Sequence, residues 1–143
     1  GRWQFAAVAG AATDFALFGY LVPVGYQLVI GGIAIETVIT GAPVGVAGIL
    51  MDWSLGLNCS AASLATAESP PTTWAPKRIP LGVQGFKAAN VVGDQAVSIV
   101  RTFDPPWVVD GGRYVHIILQ VPVANATVNQ IIRGDVMINS YFD

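Results

Sequence analysis

The chain holds one imidazole, His116, and one thiol, Cys59, in 143 residues. A Ser-His-Asp or Cys-His site would have to use His116, held within hydrogen-bond reach of a nucleophile and of an orienting acid. There is no Gly-x-Ser-x-Gly elbow of the kind that exposes a nucleophile. His116 falls mid-strand on the wetter side of its run, which suits an interface or solvated role better than catalysis. A lone cysteine more often packs as a small apolar residue than reacts. Cys59 cannot form a disulfide within the chain, and a chain of this length buries roughly 70% of its unfolded surface without one.

Other chemistries lack the residues they need. One His and one Cys give too few nitrogen and sulfur ligands for a structural zinc site. The acids are spread singly, with no Asp-rich calcium loop. No glycine pattern follows a strand and opens a helix, so there is no nucleotide fingerprint. The expectation is a protein with no metal, no cofactor and no enzymatic activity. Asp104 and Asp110 flank Pro105-Pro106-Trp107, which reads as a turn. Paired carboxylates can hydrolyse or bind sugars, but Asp also serves turns by bonding local backbone. Three short matches, Arg133-Gly134-Asp135 inside a predicted strand and the sequons Asn58-Cys59-Ser60 and Asn125-Ala126-Thr127, are of a kind that arises by chance.

Composition points toward assembly. The chain is 53% apolar and 11% charged, against a usual charged share of about 25%. Glu36 is the one charge between Asp14 and Asp52. A soluble monomer of this size needs more charged surface than that. The net charge is −2 and the basic residues form no stripe, which argues against direct nucleic-acid binding. Residues 15–35 are uncharged and long enough to span a bilayer as a helix. Pro23 with Gly19, Gly25, Gly31 and Gly32 makes a poor helix and no charged flank orients it, so no membrane span is expected. The same stretch lacks the basic start and cleavage site of a leader.

The elements that must position these residues are strands. Short runs rich in Val, Ile, Tyr and Phe alternate with Gly, Pro, Asn and Asp. About eight are expected, near 3–9, 14–22, 26–40, 44–57, 81–87, 95–103, 113–122 and 130–142. Alternation places Ala47, Ile49, Met51, Trp53 and Leu55 on one face, opposite Asp52 and Ser54. It groups Val115, Ile117, Leu119 and Val121 against Tyr114, His116 and Gln120. It sets Ile132, Val136, Ile138 and Phe142 against Arg133, Asp135 and Asn139. Residues 26–40 look apolar on both faces, with Leu28, Ile30, Ala34 and Val38 on one and Val29, Ile33, Ile35 and Ile39 on the other. Such a strand needs covering twice, by a loop or another subunit. Gly31-Gly32 in its middle suggests a bulge or bend. The expected fold is all-β: a single domain over 1–143, a two-sheet antiparallel sandwich of jelly-roll type.

One segment interrupts the strands. Asn58–Pro80 holds Pro70, Pro71, Pro76 and Pro80, and structureless stretches above roughly 12–15 residues are often functional. Ser60–Ala67 has room for a turn or two of helix. The loop either packs on its own sandwich or lies as an arm on a neighbouring subunit.

Several stretches together resemble a known family. Trp53-Ser54-Leu55 leads into Ser63-Leu64-Ala65-Thr66-Ala67-Glu68. Ala75-Pro76-Lys77-Arg78-Ile79-Pro80-Leu81-Gly82 and Gly111-Gly112-Arg113-Tyr114-Val115 follow. The chain closes with Ile132-Arg133-Gly134-Asp135-Val136 and Tyr141-Phe142-Asp143, an ending expected to be native. Over roughly residues 45–143 this order resembles jelly-roll cement or decoration proteins of tailed-bacteriophage capsids. The resemblance implies a virion protein on the outer capsid surface that ties major capsid subunits together as a homodimer or homotrimer, with no catalytic residues to transfer. Interfaces of that kind centre on aromatic and Arg anchors. Trp3, Trp74 and Trp107, which lie outside the clearest alternating runs, are candidate anchors. Lys77, Arg78 and Arg101 are candidate polar partners. Core packing explains each tryptophan equally well. A carbohydrate-binding jelly-roll module for host attachment, or another minor virion component such as a head-fibre base, is the alternative.

Overall fold

A computed structural model of the chain describes residues 1–8, 15–41, 48–67, 77–120 and 131–143. Eight strands run through them: β1 (Arg2–Val8), β2 (Phe15–Leu21), β3 (Gln27–Gly41), β4 (Ile49–Cys59), β5 (Lys77–Phe86), β6 (Ile99–Asp110), β7 (Tyr114–Gln120) and β8 (Ile131–Phe142). One turn of helix, α1 (Leu64–Ala67), lies between β4 and β5. All pairing is antiparallel, β1 with β8, β2 with β7, β3 with β6 and β4 with β5. The chain is thus one long hairpin, with its turn between β4 and β5, rolled up on itself. Pairing of β3 with β8 and of β4 with β7 joins the ribbons into two four-stranded sheets. Their orders are β1-β8-β3-β6 (the β3 sheet) and β2-β7-β4-β5 (the β4 sheet). This is the jelly roll expected from the sequence.

The core lies between the sheets. Ile49, Met51, Trp53, Leu55 and Leu57 of β4 meet Ile30, Ile33, Ile35 and Ile39 of β3, with Ile117 and Leu119 of β7 and Ile132, Val136 and Ile138 of β8 beside them. At the β1 and β2 edges Trp3 stacks on Phe18, centroids 4.6 Å apart, and Phe5 meets Trp53 edge-on at 5.3 Å. Gln84 of β5 crosses the core on the opposite side. Its Oε1 accepts from Trp53 Nε1 (2.9 Å) and Thr37 Oγ1 (3.3 Å), and its Nε2 donates to the carbonyls of Val97 (2.9 Å) and Ile35 (3.3 Å). A buried carboxamide is tolerable only when both its ends are bonded in this way.

Three local readings change. First, the two faces of β3 do not divide as strict alternation gives. Its register shifts between Ile30 and Gly32 against both neighbours, so a bulge resets the alternation. Leu28 and Ile30 before it, and Ile33, Ile35 and Ile39 after it, all face the core. The outward set reduces to Val29, Ala34 and Val38. Second, Pro105-Pro106-Trp107 is not a turn. It lies inside β6, an edge strand whose pairing to β3 skips from Trp107 to Thr102. Proline is admissible there because an edge strand can spare the donor. Third, β5 begins at Lys77, so the last residues of the expected 58–80 loop are strand.

Candidate interaction surface

His116 is not on a wet face. It points outward from β7 but is fully buried, as is its outward neighbour Ile118. Small residues make the slot. A Cβ on Gly19 would come 2.9 Å from the imidazole and 3.3 Å from the Ala62 carbonyl, and one on Gly56 would touch Cys59 Sγ and Ile118. The segment from Cys59 through α1 therefore packs on the outside of the β4 sheet. Leu64 and Ala67 are buried with it, and Ala67 N–H closes the helical turn on Ser63 O at 2.9 Å. The described part of the long loop thus packs on its own sandwich. Residues 68–76, including Trp74, lie outside the described residues.

Cys59 is also fully buried. A thiol reagent should therefore label it only through opening of the fold, on the order of a thousandfold slower than in the unfolded chain. Immediate labelling in native buffer would show that the Cys59–Ala67 cover does not hold. The Asn58 side chain is occupied as well, its Oδ1 accepting from Asp110 N–H at 2.9 Å. Asn125 is outside the described residues. Arg133-Gly134-Asp135 lies within β8, paired on both sides by β1 and β3, with Asp135 bonded to Arg2.

The sequence-derived anchors spread over three strands. Trp3 belongs to β1, is half-buried and packs against the core. Lys77 opens β5 opposite Leu57, and Arg78 follows it, exposed, opposite Gly56. Arg101 is exposed on β6, and its guanidinium reaches 3.0 Å from where a Cβ on Gly82 of β5 would stand. Trp107, also on β6, is 38% exposed. The structure thus brings Arg101 and Trp107 onto one edge strand, with Arg101 reaching across to β5, and leaves Trp3 apart.

The accessible apolar residues are mostly others. At one end of the sandwich stand Leu21, Val24, Tyr26 and Phe142, and on the outer side of the β3 sheet Val100, Val108 and Tyr141. Tyr26 and Tyr20 both contact the Phe142 ring, at centroid distances of 5.9 and 6.5 Å. That end is rigid: Val22 and Arg113, Gly112 and Val22, and Gln27 and Asp143 are joined by backbone hydrogen bonds of 2.8–3.0 Å. The sequence carried one signal for it, since Tyr141 and Phe142 are adjacent and so take opposite sides of a terminal strand. Large open apolar groups on a rigid frame are what protein contacts use.

No family model matches the chain, and no curated protein matches it by sequence. Among solved structures, one of desmodium yellow mottle tymovirus is 9% identical over 98% of this chain and 86% of that chain, with a TM-score of 0.33. The VP2 protein of infectious bursal disease virus, in derived T=1 particles, is 16% identical over 99% of this chain and 37% of that one, with a TM-score of 0.24. A structure of the Gt strain of the same virus is 15% identical, with coverage of 99% and 39% and a TM-score of 0.24. All three are structures of viruses or virus proteins, and the similarity is weak.

Proposed function

We propose that the protein is a non-enzymatic structural component of a virion, bound to the outside of an icosahedral phage capsid, where it cements neighbouring major capsid subunits. One observation carries the reading. The one imidazole and the one thiol are committed to the fold, while many of the accessible large side chains are apolar or aromatic. His116 and Cys59 are fully buried, whereas Tyr26, Tyr141, Phe142, Val24 and Val100 are open. That distribution suits a molecule that works by burying surface against other protein. The resemblance of residues 45–143 to tailed-phage cement proteins supports the choice of a capsid as the partner.

A map of the intact particle that carries this chain tests the proposal. The expected result is jelly-roll density outside the shell, bridging subunits, and particles lacking the protein should burst at lower temperature. Density on the tail, or none on the particle, would overturn it. The exposure of Trp107, with Asp104 on the same strand and the amide of Gln27 bonded to Asp110 at 3.0 Å, favours carbohydrate binding as a second reading. A glycan array with no hits removes it.

A further inference from the structure

The two sheets treat their outer faces differently. The chain covers part of the β4 sheet with its own Cys59–Ala67 segment, and the apolar residues left open beside it, Leu50 and Val83, flank the exposed carboxylate of Asp52. On the outer face of the β3 sheet Val100 is 65%, Tyr141 62% and Val108 40% exposed, and the last two close over Val29, which is buried.

Register makes these residues one patch. Val29 stands between Val108 on β6 and Tyr141 on β8, and Ala34 stands between Val100 and Met137. The Gly31–Gly32 bulge lies between the two rows. Having no side chains to fill the space, it leaves a depression of about 360 Å³ that Thr102 and Asn139 help to line. Arg101 also lines the depression, but its guanidinium reaches toward Gly82 of the other sheet, and the other residues named are uncharged. The adjoining strip carries Glu36 beside Asp135, Arg2 bonded to Asp135, and Arg133 next along β8. Two cations and two anions leave that strip without net charge.

We propose that this face binds a second copy of the chain, sheet against sheet, about a two-fold axis lying in the interface near the Gly31–Gly32 depression. Sheets stacked face to face are a standard packing mode, and an isologous contact requires only that the patch suit itself. Area supports a dimer. Four strands at about 4.8 Å and ten residues at about 3.3 Å offer on the order of 600 Å² per copy. Two copies then bury about 1,200 Å², where stable interfaces begin. Charge permits a like partner, because the mixed strip neither repels its own copy nor attracts a uniformly charged one, and Asp110 at the opposite margin is bonded to Gln27. The inference rests on the assembly reading for its purpose but not for its geometry.

Sedimentation of the full chain tests it. The wild type should run as a dimer of the 15.0 kDa chain at about 100 μM. Val100→Lys and Tyr141→Lys should run as monomers with unchanged far-UV circular dichroism. Val83→Lys, 56% exposed and on the other sheet, should stay dimeric. A monomeric wild type, a trimer, or a Tyr141→Lys dimer as tight as wild type overturns the inference. Asn139→Cys gives a readout that needs no loss of binding: under oxidation it should form a covalent dimer, and Val83→Cys on the β4 sheet should not. A cross-link at Val83 with none at Asn139 also overturns it. A monomer found on shells sinks this inference alone, and a dimer never found on shells sinks the proposed function alone.

Discussion

Gln84→Leu is expected to cost about 3 kcal/mol or more, although leucine is apolar and the site is core. The carboxamide serves four partners on two strands and the segment before β6: the Trp53 indole, the Thr37 hydroxyl and the carbonyls of Ile35 and Val97. Gln84 and Thr37 are 2% and 3% exposed and Trp53 fully buried. Leucine would strand two donors and two acceptors, and each unpaired buried group costs about 1–3 kcal/mol. The Val97 carbonyl belongs to an open residue and has water to turn to, so the loss falls short of four full penalties. Thermal unfolding should drop by about 10 °C, and Trp53 fluorescence reports the transition. Gln84→Glu should be no rescue, because a carboxylate cannot donate to the two carbonyls and its burial is costly. A loss below about 1 kcal/mol would show that the sheets are not tied through this side chain.

Gly134→Ala should be as damaging through sterics alone. Gly134 faces Thr37 on β3 and Phe5 on β1. An added Cβ would fall inside the Glu36 carbonyl oxygen and 3.0 Å from the Phe5 ring. The oxygen is backbone and cannot swing away, and Phe5 is held edge-on against Trp53. The expected loss is about 4 kcal/mol, enough to leave the protein insoluble or partly unfolded. Gly85→Ala is the control, since the nearest atom to its Cβ is an ordinary 3.5 Å away. Equal stability of the two variants in urea would remove the argument.

Much of the fold was legible because strand alternation is a local signal. β4, β7 and β8 show the inward sets read from period two, apart from Phe142, which sits 47% exposed at its strand's end, and Ala47 and Val121, which lie outside the described residues. β3 misled because one extra residue reverses every side chain beyond it. The glycine pair announced the bulge, but only the pairing of both neighbours shows how the phases join. β6 misled because proline marks turns and edge strands alike, and a single sequence does not say which strand will be at an edge. The wet side expected for His116 failed for a tertiary reason. The roof over it comes from residues some fifty positions earlier in the chain, and no periodicity encodes that. Gln84 passed unnoticed because a glutamine in a strand ordinarily marks the solvent side.

The nested pairing has a kinetic consequence. Only β4 and β5 meet as sequence neighbours, while β1 must wait for β8 at the far end of the chain. Loop closure on that scale is slow, and folds built from such distant partners take milliseconds to seconds. Until the outermost pair arrives, β2, β7 and the ends of β3 present apolar ladders to any other nascent chain. Dilution and low temperature during synthesis would then favour a correctly closed molecule over a tangled one, whatever its final stability.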